Sequence, residues 1–302
     1  MPLFLNLASC PFQIFDPHRI CASLFEDWSI YLSSQPLQIP AWSVYIESLE
    51  SPCPTLVQDQ RPRWTQHYST LQKTKESKPV SYTYETHRLD FSLYLNELSS
   101  PPQAYIQTDG SQGSLEACFQ ILLQIHLRSQ GGALIHASGV IDQNQGWLLP
   151  GLSGAGKSTA ARLGGFQQVL SDEFIAITPT LSELIPSNDP PLATHASFLM
   201  WATPFWSNWD SHLFPLYHGS ISLDLIAFPQ HGPLTGPPQL RPINSLDTTI
   251  KLIQALVSYE YSLSSQEYLL NWATHVSATI PSYLLSFPKK ENWRQLLAND
   301  PC

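Results

Sequence analysis

The chain has 302 residues and a formal net charge of −9, from 15 Lys and Arg against 24 Asp and Glu; sequence-independent nucleic-acid binding, which needs clustered cations on phosphates, is disfavoured. The 43% apolar and 13% charged content is that of a packed globular protein long enough for two compact units, and 26 prolines imply many loops. Five cysteines without a CxxC pair or metal-ligand spacing point to reduced thiols in a cytoplasmic setting, and no apolar run reaches the roughly 20 residues of a membrane span.

Met1 to Cys10 ends in Leu-Ala-Ser-Cys, which resembles a lipoprotein cleavage box, but it lacks a basic segment and a long apolar stretch and reads as chance. From Ala41 to Tyr105, as in Ser81-Tyr-Thr-Tyr-Glu and Leu89-Asp-Phe-Ser-Leu-Tyr-Leu, apolar residues alternate with polar ones, which predicts an antiparallel, strand-rich region. Leu115, Cys118, Phe119, Leu122 and Ile125 recur at helical spacing, so an amphipathic helix is expected over 114–128 with Ser114 as N-cap. Gly131-Gly132 ends it, and Ala133–Ile141 and Gly146–Leu149 read as strands joined by the turn Asp142-Gln-Asn-Gln. A single break near residue 130 marks the one candidate domain boundary.

Gly151-Leu-Ser-Gly-Ala-Gly-Lys-Ser-Thr matches G-x-x-x-x-G-K-[ST] in full, after the apolar run Trp147–Leu149 and ahead of the helix formers of Lys157–Leu163. Strand, loop and helix stand in the order that makes an anion cradle. Glycines at 154 and 156 let the backbone turn N–H groups inward, and a helix N-terminus adds partial positive charge. Gly151, Ser153, Gly154, Ala155, Gly156, Lys157, Ser158 and Thr159 are therefore the candidate nucleotide-binding residues. Lys157 would reach the β- and γ-phosphates of ATP, and the Ser158 hydroxyl would hold Mg²⁺.

Val169-Leu-Ser-Asp-Glu-Phe-Ile-Ala-Ile reads as a short apolar strand interrupted by Asp172 and Glu173. Two acids in such a strand are costly unless they meet a cation, and Mg²⁺ at Ser158 is the obvious one. Further on, 178–191 and 203–209 are rich in Pro and aromatic residues and predict loops or a lid. Ser220–Phe228 alternates like a strand, 229–238 reads as a turn-rich connector, and 245–259 has helical periodicity. Ser264 with Glu267 predicts a capping box ahead of a second helix.

The order Ile135-His-Ala-Ser-Gly-Val, then the glycine-rich loop, then Leu170-Ser-Asp-Glu resembles HPr kinase/phosphorylase and its relatives, which share a nucleotide fold with phosphoenolpyruvate carboxykinase. The resemblance covers about residues 130–180. It implies a mixed α/β (α+β) architecture, with an N-terminal α+β region over 1–130 and an HPr kinase-like nucleotide-binding domain over 131–302. It also implies that His136 and Asp172 take the places of the family's strand histidine and first loop-following aspartate. Glu173 stands where the family has a second Asp, Thr159 where it usually has Glu, and no segment matches the region that marks the protein substrate. The layout is more similar to the HPr kinase-like proteins found with peptide-modification enzymes.

Asp172 is the candidate metal ligand together with Ser158. Either Asp172 or Glu173 is the candidate proton acceptor. His136 could orient a carboxylate or contact substrate, and equally reads as a hydrogen-bonded core histidine. Phe205, Trp206 and Trp209 read as buried packing before they read as a pocket wall. Between Ser129 and Pro288 the cations are Lys157, Arg162, Arg241 and Lys251, and Arg241, read as lying in a loop before Pro242, is the candidate to cover the transferring phosphoryl group. The expected activity is ATP- and Mg²⁺-dependent phosphoryl transfer to a hydroxyl of a peptide, protein or small metabolite, with no nucleic-acid or membrane partner and homo-oligomerisation open. A nucleotide-binding regulatory protein and an ATPase are the competing readings.

Overall fold

The computed structural model describes residues 3–33, 40–48, 64–67, 70–73, 80–83, 91–96, 100–180, 197–206, 216–231, 237–259, 262–288 and 292–297. Its residues divide into two compact units, Met1–Leu123 and Gln124–Cys302. The division falls seven positions before the glycine break near 130, because the last turns of the long helix α2 (Gln112–Ser129) bond to the second unit's own residues. Gln124 donates to the Val257 carbonyl and accepts from the Tyr259 N–H, while Arg128 reaches the Ser264 carbonyl. α2 begins earlier than expected: Ser111, not Ser114, stands at its N-cap, its hydroxyl accepting from the Ser114 N–H at 3.4 Å.

Among its described residues the first unit is built on a nine-stranded sheet. A two-residue turn at Ala8 and Ser9, both at positive φ, closes the hairpin of β1 (Leu3–Leu7) and β2 (Cys10–Phe15). β4 (Trp42–Ser48) lies parallel to β2 on one side and to β9 (Gln103–Thr108) on the other, so the sheet is mixed and not antiparallel. Period-two alternation reports which face a residue occupies and is blind to strand direction. Phe119 of α2 packs edge-on against Phe12 and Trp28, and Cys10, Cys21 and Cys118 are buried free thiols, their pKa values raised by desolvation.

The second unit holds an eight-stranded arrangement, with β10 (Ala133–Asp142), β11 (Gln145–Pro150), β12 (Gln168–Ser171), β13 (Phe174–Pro179), β14 (Phe198–Trp201), β15 (Ser220–His231), β16 (Gln239–Pro242) and β17 (Ser282–Phe287). β10 and β15 are each long enough to serve three ladders. The first half of β10 pairs with β13 and its second half with β12, whereas β15 pairs with β14 at its start and with β11 and β17 farther on. Neighbouring residues then face different cores. Ile141, Leu148, Leu170, Ile226 and Leu284 join the cluster under α4 (Ser245–Ala255) and α5 (Leu263–Thr279). Val140, Trp147, Leu149, Val169, Ala227 and Leu285 join the one under α3 (Lys157–Gly164) and α6 (Trp293–Leu297).

Several local expectations change. The β10–β11 hairpin turns at Gln143 and Asn144, both at positive φ, inside the expected four-residue turn. The strand from Ser220 runs on to His231 through Pro229, at a level where β17 flanks it and β11 has ended. α4 stops at Ala255 because Leu256 bridges to Ile135 and the Val257 N–H is taken by the Leu134 carbonyl. α5 is capped by Ser262, which accepts from Ser265, and not by Ser264. Residues 181–196 and 207–215, which include most of the expected lid and Trp209, lie outside the described residues. Among the described residues, no helix is long and apolar enough to cross a membrane.

Candidate functional site

β10 organises the site. On one side Ala137 pairs with Pro150 at the end of β11, and the Gly151 N–H donates to the His136 carbonyl at 3.3 Å. On the other side the Ala137 N–H donates to the Glu173 carbonyl at 2.9 Å, and the buried Ser138 hydroxyl donates to the Asp172 carbonyl at 3.1 Å. The glycine-rich loop and the acidic pair thus flank the same three residues of one strand, about two strand spacings, or roughly 10 Å, apart.

Asp172 and Glu173 do not interrupt a strand, as expected from the sequence, but form the bend between β12 and β13. A register shift beside Gly139 allows it: the two strands pair with different halves of β10, and a Cβ on Gly139 would lie 2.6 Å from Ile175 Cδ1. Ser171 fixes the bend, its hydroxyl donating to the Phe205 carbonyl at 2.6 Å and accepting from the Glu173 N–H at 3.3 Å. Thr203 donates to the Phe174 carbonyl from the facing segment. Asp172 is buried at 1% exposure, whereas Glu173 is half-buried.

Beyond Pro150 the chain turns through Gly154 at φ +80° and Gly156 at φ +92°, backbone conformations that side chains resist. Gly156 precedes α3, whose first full helical bond runs from the Ala160 N–H to the Gly156 carbonyl, so the N–H groups of Lys157, Ser158 and Thr159 lie in the first turn that has no partner within the helix. Ser153 is exposed; Gly151, Ala155, Ser158 and Thr159 are half-buried. Lys157 is 5% exposed, and its Nζ donates to the Leu152 carbonyl at 3.1 Å. Its pKa is lowered by burial and pushed back up by the charges of Glu173 and Asp172. The charges of the lysine and of the acidic pair thus act on each other, while the ammonium itself is hydrogen-bonded within the loop.

His136 sits opposite Phe174 in the ladder, with ring centroids 5.4 Å apart. Burial and then the Lys157 charge lower its pKa to about 4, so the imidazole is neutral at neutral pH. Arg241 is not in a loop. The alternation Gln239-Leu240-Arg241, with Leu240 packed inward, recruits it into β16, where it pairs with Leu284 and is exposed. β17 and β15 stand between β16 and β11, a span of roughly 14 Å at the usual strand spacing. Phe205 is fully buried and Trp206 packs against the α3 core, in keeping with a structural part for both.

Ser138, Ser171 and Thr203, which hold the acidic bend by its backbone, were not singled out from the sequence. The only signal was the place of Ser138 inside His-Ala-Ser-Gly-Val. α6 adds a further brace that nothing in the sequence marked: the Trp293 indole donates to the Ala160 carbonyl of α3 at 3.1 Å, and Phe287 Cζ would lie 3.7 Å from a Cβ on Gly156. Among the described residues no three His, Cys, Asp or Glu side chains gather as a metal cluster. Mg²⁺ carried by a nucleotide needs only one or two protein oxygens, since phosphates and water complete its shell, and the Ser158 hydroxyl and Asp172 carboxylate are the groups of that kind. No family model matches the chain, and no curated protein does.

Proposed function

We propose that the chain is a Mg²⁺-dependent kinase with an HPr kinase/phosphoenolpyruvate carboxykinase-like nucleotide fold, transferring the γ-phosphoryl group of ATP to a hydroxyl. The observation that carries this reading is the placement of the glycine loop and of the Asp172–Glu173 bend on the two sides of the same three residues of β10, in a strand, glycine loop and helix order. A carboxylate pair beside the loop supplies both a Mg²⁺ ligand and a proton acceptor, the two roles that phosphoryl transfer to a hydroxyl asks for.

In this reading the backbone of 151–156 and the first turn of α3 hold the phosphates, and the Lys157 ammonium leaves the Leu152 carbonyl for the β- and γ-oxygens. The Ser158 hydroxyl and the Asp172 carboxylate would hold Mg²⁺, which would supply Lewis-acid stabilisation of the phosphate charge. Asp172 or Glu173 takes the proton as the acceptor O–H bond and the Pγ–O bond to ADP break and the new O–Pγ bond forms. Neutral His136, fixed by the ladder, can accept a hydrogen bond from the incoming hydroxyl. Arg241 would contribute only if β16 or its flanks move toward the loop.

Incubation with γ-labelled ATP, Mg²⁺ and hydroxyl compounds tests the reading. Label on a hydroxyl that disappears with Asp172→Asn supports it. Label recovered only as free phosphate would identify an ATPase, and bound ATP with no turnover a nucleotide-dependent regulatory protein.

A further inference from the structure

α3 meets the core through short side chains. Its buried residues are Lys157, Ala160, Ala161 and Gly164, and Leu163 is its one bulky apolar side chain. Small residues bring the helix close to β10 and β11 but interdigitate little, so they do not by themselves fix its height or rotation. Gly156 at its start carries no capping side chain. The place of the first turn, with the N–H groups of Lys157, Ser158 and Thr159, is therefore set by what packs on α3 from outside.

The chain from 287 to 294 does that packing at three levels, its residues 289–291 lying outside the described residues. At the start of α3, Phe287 Cζ would lie 3.7 Å from a Cβ on Gly156, in van der Waals reach of the loop's last glycine. In the middle, the fully buried Trp293 indole donates to the Ala160 carbonyl at 3.1 Å. At the end, Asn292 closes on Gly165, where a Cβ would lie 2.4 Å from Asn292 Oδ1. Phe287 and Trp293 also support each other, with ring centroids 5.4 Å apart, and Trp293 meets Phe166 edge-on at 5.6 Å. The segment is anchored in turn at the turn end of the β10–β11 hairpin. There Arg294 pairs with Asp142 at 2.8 Å and lies over the Trp147 ring.

Resting on the kinase reading above, we propose that Phe287 and Trp293 are positioning residues of the phosphate loop, holding α3 at the height and rotation at which its first-turn N–H groups and Lys157 meet the phosphates. They act through α3 and not on the nucleotide. Hydrogen bonds to phosphate oxygens weaken steeply with misalignment, and a misplacement of about 1 Å can cost about a hundredfold in rate. The affinity of the loop for Mg·ATP is thereby coupled to the packing of the C-terminal segment.

The test compares calorimetric titrations of Mg·ATP into the wild type, Phe287→Leu and Trp293→Phe, with urea unfolding of each. Phe198→Leu and Trp272→Phe serve as matched controls, since both rings are buried in the other core cluster, under α4 and α5. Phe287→Leu and Trp293→Phe should weaken Mg·ATP binding by about fivefold or more, while the controls, at comparable losses of urea midpoint, should stay within about twofold of the wild type. Wild-type affinity in both Phe287→Leu and Trp293→Phe overturns the proposal, and so does equal weakening in these variants and in the controls. Hydrogen exchange on the wild type keeps the test standing where a variant does not fold. Saturating Mg·ATP should slow amide exchange in α6 together with α3, because coupled sites act on each other reciprocally. Slowing confined to α3 overturns the proposal. Failure of the wild type to bind Mg·ATP instead removes the kinase reading on which it rests.

Discussion

Asp172 is almost wholly buried, yet its backbone is held by Ser138 and its charge acts on Lys157. Asp172→Asn keeps the shape and the backbone bonds, so the variant should fold and retain much of its nucleotide affinity while turnover falls by about two orders of magnitude or more. Near-normal turnover in a transfer assay would move the chemistry to Glu173. His136 offers a second check. Its pKa is about 4 in the fold against 6.5 ordinarily, so between these values the unfolded chain binds the extra proton. Stability is then lost as pH falls from 6.5 toward 4, by about 2 to 3 kcal/mol from this residue. Urea unfolding of wild type and His136→Gln at pH 7 and pH 4.5 should show the wild type losing that much more than the variant; a pH-independent difference would contradict the burial argument. The turn of the loop glycines ahead of α3 and the return of Asp172 and Glu173 beside it were legible, because motif spacing and a short connection set both. Ser138, Ser171 and Thr203 were not, since each acts on a carbonyl about 30 positions away and any serine or threonine in a strand looks alike from the sequence.

At the scale of elements, the glycine-rich turn and helix followed from local rules, and the misplacements have local causes. Ser111 and Ser262 cap helices for which Ser114 and Ser264 were equally good candidates, because serines two or three positions apart offer the same hydroxyl. Packing chose between them. Close approach of elements was likewise hidden: Gly146 lets β11 run beside β15, and a Cβ there would lie 2.1 Å from the Ser222 carbonyl oxygen. Since that neighbour is backbone, Gly146→Ala should cost about 2 kcal/mol or more, read as a lowered urea midpoint. An unchanged midpoint would mean the strand pair is looser than described. The α6 brace gives a finer comparison. Trp293→Phe keeps a ring against Phe166 and Phe287 but removes the donor to Ala160, for about 1 kcal/mol, whereas Trp293→Ala should cost about 3 to 5. Equal losses in the two variants would assign the whole effect to the hydrogen bond.

At the scale of the whole molecule, two compact units and a mixed α/β architecture were legible from length and from the change in periodicity near residue 130. The sharing of β10 and β15 among three ladders each was not, because it depends on pairings between strands as distant as Gly146 and Leu223, and alternation carries no record of partners. That sharing is what lets a loop at residue 151 and a bend at residue 172 meet across a single strand. In the proposed function this meeting point takes the phosphates of Mg·ATP. Calorimetric titration of Mg·ATP into the full chain and into Lys157→Ala tests it most directly. Saturable binding by the wild type is expected, weakened at least about tenfold in the variant, since the loop's lysine charge is gone while the backbone cradle remains. Equal affinity of the two proteins, or no binding to the wild type, would contradict it.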